Sequence, residues 1–188
     1  MTRSTVDAHL APELQTCGWI NTLQPLTLSA LRGKVVVLHA FQMLCPGCVQ
    51  FGIPLAQRMH EEFDPDRVTV IGLHTVFEHH SVMNRDALEV FAHEYKLRFP
   101  IGIDMPDGQQ GIPLTMRAYH MQGTPSVILI DKTGHLRFQK LGHVGDLMLG
   151  FSIGTLLSEE ADGAITVPSA TPMDVADAAG DDHSRTDG

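Results

Sequence analysis

Cysteine is scarce in this chain, three among 188 residues, too few to staple a scaffold with disulfides. Long apolar runs are missing as well. No stretch approaches the roughly 18 apolar residues of a membrane span. The opening Met1-Thr2-Arg3-Ser4-Thr5-Val6-Asp7-Ala8-His9 lacks the apolar segment of a secretory signal. The expected place of work is therefore the cytosol, where a close cysteine pair is catalytic more often than structural. Basic excess is absent too: the formal net charge of −9 argues against nucleic acid or an anionic membrane as partner. Much of that charge is local, since residues 161–188 carry six Asp against one Arg, a net of −5 that leaves −4 for the rest. Apolar residues make up 43% of the chain, enough for a substantial core. No cofactor and no resident metal is expected.

Against that background Cys45-Pro46-Gly47-Cys48 stands out, because it directly follows the apolar run Val35-Val36-Val37-Leu38-His39-Ala40-Phe41. A Val-rich run of that length reads as a buried strand. From Pro46 onward the chain reads as a helix, with proline at an early position where a missing N–H costs little. The helix N-terminus formed around Pro46 and Gly47 places Cys45 where unpaired N–H groups favour a thiolate. That thiolate is the nucleophile of thiol–disulfide exchange, and Cys48, one turn on, is placed to resolve a mixed disulfide.

Residues 1–34 read as irregular. A helix is expected from about Pro46 to Phe63, bent near Pro54, then a strand Val68–His74. After a His-rich loop comes a helix from Asn84 or Asp86 to about Lys96, followed by a short strand Phe99–Ile103. Residues 104–111 read as a loop and Ile112–His120 as a brief helix. Ser126–Ile130 and His135–Leu141 read as strands joined by the turn Asp131-Lys132-Thr133-Gly134. A last helix spans roughly Val144–Glu160, with Leu147, Phe151, Leu156 and Leu157 offered to the core. Met43, Met116, Met121 and Met148 read as core or groove packing. Alternating strands and helices indicate an α/β sandwich with a central mixed sheet flanked by helices, its site at the strands' carboxyl ends.

The order β–CxxC–α–β–α, Gly123-Thr124-Pro125, β-hairpin and helix resembles the thioredoxin superfamily. More narrowly, the chain resembles the TlpA/ResA-like thiol–disulfide oxidoreductases, which overlap with the AhpC/TSA redoxins. Leu28 to Leu38 matches their lead-in, and Val70-Ile71-Gly72-Leu73, Phe99-Pro100-Ile101 and Leu129-Ile130-Asp131 match later landmarks. The resemblance covers about residues 10–158 and implies a thioredoxin-like domain with an N-terminal extension over residues 1–160; the acidic tail over 161–188, rich in Ala, Asp, Ser, Thr and Gly, reads from its composition as disordered. In the cytosol such a dithiol is expected to reduce protein or small-molecule disulfides, with electrons from an upstream thiol reductase. The resemblance further implies that Pro125 is cis and lies across from the cysteines, with Thr124 offering its backbone to a substrate chain.

Several positions depart from that pattern. Leu44 stands where the family has Trp before the first cysteine, and His39 where thioredoxins carry a buried Asp. His39 either takes over proton transfer beneath Cys48 or is a satisfied core histidine. Glu78 falls near an active-site Glu of some ResA-like proteins, and is otherwise a solvated acid. Cys17 reads as a buried, inert thiol rather than an extra resolving one. Two other functions compete with this one. A peroxiredoxin-like peroxidase would need a hydroxyl residue and a Pro where Gln42 and Leu38 stand. A metal- or protein-binding scaffold would use the cysteines with His39, His74, His79 or His80, which lack ligand spacing.

Overall fold

The computed structural model describes residues 9–108 and 111–159. Six strands among them form one mixed sheet: β1 (Thr16–Ile20), β2 (Val35–Phe41), β3 (Val68–His74), β4 (Ile101–Asp104), β5 (Ser126–Ile130) and β6 (Leu136–Leu141), in the order β1-β4-β3-β2-β5-β6. Strands β2, β3 and β4 run parallel, while β1, β5 and β6 pair antiparallel with their neighbours. The helices are α1 (Ile53–Glu62), entered through a π-turn at Cys48–Gly52, then α2 (Arg85–Glu94), α3 (Leu114–Ala118) and α4 (Asp146–Ser158). None of them is long and apolar enough to cross a membrane.

All seven residues of β2 are buried, as expected of a central strand covered on both faces. Its side chains alternate between two cores. Val35, Val37 and Phe41 pack with residues of α1, α2 and α4, whereas Val36, Leu38 and Ala40 pack with Met116, Tyr119 and the lead-in residue Leu28. Against the first face α1 buries Ile53, Leu55, Ala56 and Met59, each large side chain contributing roughly 1.5–3 kcal/mol of transfer free energy. Asn84 caps α2 by accepting from the Ala87 N–H at 3.0 Å. At the β5–β6 turn Asp131 Oδ1 accepts from the N–H groups of Thr133 and His135, both at 2.9 Å, and Gly134 supplies the left-handed φ of +86°.

Three expectations need correction. Residues 1–34 are not wholly irregular, because β1 lies within them. It pairs on one side only, with a register shift between Thr16 and Gly18, so it never shows the alternation of a half-buried strand. In α4 the buried residues are Leu149, Ile153 and Leu156, while Leu147 and Phe151 are 89% and 77% exposed and Met148 also faces out. Apolar residues occur all round this helix, so periodicity could not choose its buried face. Cys17 is exposed, not buried, because it sits on the edge strand. The tail from 161 lies outside the described residues.

Candidate active site

The cysteines sit in the link between β2 and the helix that leads into α1. The Cys45 N–H closes a turn onto the Gln42 carbonyl at 3.2 Å, and the helix begins at Pro46. The Cys48 N–H donates to Cys45 Sγ at 3.2 Å, and that sulfur in turn donates to the Thr124 carbonyl at 3.5 Å. A backbone N–H aimed at sulfur is the contact that stabilises negative charge there. Cys45 is half-buried, whereas Cys48 is fully buried. Burial and the neighbouring Cys45 side chain push the Cys48 thiol up to about 12, against hydrogen bonds from the Gln42 backbone and the Thr124 side chain. One thiol is presented and the other held protonated behind it.

The Thr124–Pro125 peptide is cis, and Pro125 lies against the start of the helix. A β-carbon on Gly47 would stand 3.3 Å from Pro125 Cδ, and one on Gly52 3.2 Å from Pro125 Cβ. Gly52 is closer still to His39: a β-carbon would fall 2.4 Å from Cε1 and 2.6 Å from Nε2 of the imidazole. The turn is of π type because Pro54 has no N–H to donate; the Ile53 N–H reaches back to the Cys48 carbonyl.

His39 is 1% exposed and its Nε2 has no hydrogen-bond partner among the described residues, so this nitrogen is not satisfied by them. Burial brings its pKa down to about 4. Its ring stacks on Phe41 with centroids 6.1 Å apart, and Phe41 meets His74 at 5.4 Å. Gln42 is also buried: its Nε2 reaches Thr124 Oγ1 at 3.5 Å, and its Oε1 has no partner among the described residues.

The structure thus brings Cys45, Cys48, Thr124, Pro125, Pro46, Gly47 and His39 to one place. Glu78 is not drawn in; it is exposed and makes no hydrogen bond or ion pair among the described residues. Nor do His39, His74, His79 and His80 gather: no group of three or more His, Cys, Asp or Glu among the described residues could hold a metal. Two contributors were missed in the sequence. Gly52 had a signal, a glycine inside an expected helix. Gln42 had none, because only the fold carries Thr124 to it.

Comparison with known proteins supports the fold and the family. A model of the AhpC/TSA family matches residues 9–139. A thioredoxin-like superfamily protein of known crystal structure is 56% identical with a TM-score of 0.79, over 81% of this chain and 99% of its own. A thiol-disulfide isomerase from Corynebacterium glutamicum is 50% identical with a TM-score of 0.78, over 82% and 99%. Protein DipZ of Mycobacterium tuberculosis is 29% identical over 164 residues, 84% of this chain, which spans only 22% of that longer protein.

Proposed function

Because the chain belongs to the AhpC/TSA family of thioredoxin-fold redoxins, we propose that it is a thiol–disulfide oxidoreductase in which Cys45 attacks and Cys48 resolves. The observation that carries the reading is the division of the pair: Cys45 Sγ accepts the Cys48 N–H at 3.2 Å at the start of a helix, while Cys48 is sealed beneath it. The Cys45 thiolate attacks a substrate disulfide RS–SR′, forming Cys45–SR and expelling R′S⁻. Cys48 then gives up its proton and attacks Cys45 Sγ. RSH departs, and a Cys45–Cys48 disulfide remains that needs two electrons and two protons from an upstream thiol reductase.

Burial decides where the Cys48 proton goes. It raises that thiol to about 12 and lowers His39 to about 4, so the proton finds no acceptor in the imidazole. The departing thiolate takes it. His39 is then a positioning residue, filling the space that Gly52 leaves beside Pro125. The Thr124 carbonyl, occupied by the resting Cys45 thiol, is released to pair with a substrate chain once Cys45 has reacted. The reductive direction, a TlpA/ResA-like role and work in the cytosol belong to the same proposal.

The test is trapping. With a protein disulfide as substrate, Cys48→Ser should accumulate a mixed disulfide at Cys45 by peptide mass, and Cys45→Ser should fall to the uncatalysed rate. Failure of Cys48→Ser to form any adduct while Cys45 still alkylates would sink the exchange mechanism. A reduction potential of the pair near about −270 mV would support the reductive direction, and one above about −150 mV would reverse it.

A further inference from the structure

Leu147 and Phe151 are core residues by type, yet they stand 89% and 77% exposed on α4, with Met148 beside them at 54%. None of the twelve residues from Leu147 to Ser158 is charged. A helix face turned to water ordinarily carries charged residues opposite its buried stripe. Here charge stops at the two ends of the helix and is already paired, Asp146 with Arg58 at 2.8 Å and Glu159 with Arg137 at 2.9 Å. A cavity of about 180 Å³ lies beside Phe151, between α4 and β6, and the ring still stands outward.

The shape of this face decides what fits it. Leu147, Phe151, Gly154 and Ser158 fall four, three and four residues apart, so they form one seam along the helix. The buried residues Leu149, Ile153 and Leu156 hold the opposite side. The seam is large in its first half and small in its second. At Gly154, and at Gly150 on the flank of the seam, a β-carbon would meet nothing within 4 Å, so the surface there is flat and open. A second α4 laid antiparallel on this seam sets Phe151 against the partner's Gly154 and Leu147 against the partner's Ser158, and each contact occurs twice. Large meets small at every position, which is how a seam closes without voids. A parallel pair would set ring on ring and leave a gap at the glycines. Two-fold pairing requires this self-complementarity, because whatever one surface offers the same surface must accept.

The area is sufficient for reversible pairing. The three large side chains expose roughly 400 Å², and the small residues between them bring one chain's share to roughly 600 Å², against about 800 Å² per partner in a standard interface. We propose that this face of α4 binds a second copy of the chain, the two helices packing antiparallel about a two-fold axis that passes between Phe151 and Gly154. The seam uses no residue of the cysteine site.

Sedimentation of the full chain tests it, in a phosphine reductant so that the exposed Cys17 cannot cross-link two copies. The mean mass should rise from one chain to two between about 1 µM and about 1 mM and stop there. Phe151→Asp puts a charge into the seam and should weaken association at least about 10-fold, about 1.4 kcal/mol. Gly154→Leu distinguishes a two-fold seat from general stickiness. Within one chain the leucine enters open space on a helix, so the dilute protein should unfold at no lower temperature. It occupies the place that Phe151 of the other copy takes, so association should weaken about 10-fold despite the added apolar surface. A chain that stays single up to about 1 mM overturns the proposal and leaves the face to a different protein or to residues 160–188. Association that runs past two, that Phe151→Asp leaves unchanged, or that Gly154→Leu leaves unchanged or strengthens, overturns it as well.

Discussion

The cysteine pair at the end of β2 and the lone cysteine on β1 are both thiols beside a buried, unpartnered imidazole, yet they are built in opposite ways. Cys48 is sealed, and its backbone N–H serves the half-buried Cys45. Cys17 lies open on an edge strand, its sulfur's hydrogen-bond contacts among the described residues being to the Ile103 and Asp104 carbonyls. What separates them is backbone. At the first site a helix start turns an N–H toward the sulfur, the contact that favours a thiolate, whereas at the second the neighbouring strand turns C=O groups toward it. Both histidines sit behind their thiols on the same run of rings, His39–Phe41–His74.

That shared feature gives the largest effect. Burial lowers His39 and His74 each to about 4, so between pH 6.5 and about 4 the unfolded chain binds protons that the folded chain refuses. Their contribution is fully present above pH 6.5 and is lost as the pH falls through that window, about 3 kcal/mol for each histidine. Urea unfolding at intervals from pH 7 to 4 should show this slope. His39→Phe and His74→Phe should each flatten it by about half. Comparing each variant with the parent at every pH removes the carboxylates, including Asp104, whose raised pKa slopes the other way. A parental stability that stays level across the window would contradict the burial of both imidazoles.

The next effect separates the two regions. Gly52→Ala should gain about 1 kcal/mol from helix propensity and lose more, because the new carbon falls 2.4 Å from the His39 ring, backed by Pro125. The expected outcome is a net loss of about 1–3 kcal/mol. Gly18→Ala meets the tip of Arg85, an exposed and flexible side chain, and otherwise only an ordinary 3.5 Å contact with Ile103 Cδ1, and should cost within about 0.5 kcal/mol. Thermal unfolding of the two variants side by side decides this. Equal losses would mean that the site behind the cysteines yields as easily as the surface.

The same contrast explains what was legible in the sequence. The strands covered on both faces announce themselves as largely apolar runs, Val35–Phe41 around His39 and Ser126–Ile130, and the cysteines follow the first of these by position alone. Edge strand β1 carries no such run, because one side of it has no neighbour and a bulge breaks its phase. With β1 unseen, Cys17 looked like an inert buried thiol. In α4 an apolar surface all round hid which face was buried. Gln42 was legible only as the absence of a hydroxyl, since its partner Thr124 lies 82 residues away and reaches it only through the pairing of β2 with β5.

Gln42 gives the smallest and most discriminating prediction. Its hydrogen bond to Thr124 Oγ1 is 3.5 Å long, at the edge of useful geometry, and its Oε1 is buried without a partner. Gln42→Leu removes a weak bond and an unsatisfied acceptor together, so stability should change by no more than about 1 kcal/mol. The exchange rate should still fall, by about 3-fold, roughly 0.7 kcal/mol, because Thr124 loses the side chain that orients it beside Cys45. The fall should appear with protein disulfides, which pair with the Thr124 backbone, and be absent with a small aromatic disulfide, which does not. An equal fall with both substrates would place Gln42 in the environment of the thiols themselves, through its backbone contact with Cys48, and would leave Thr124 without a recognition role.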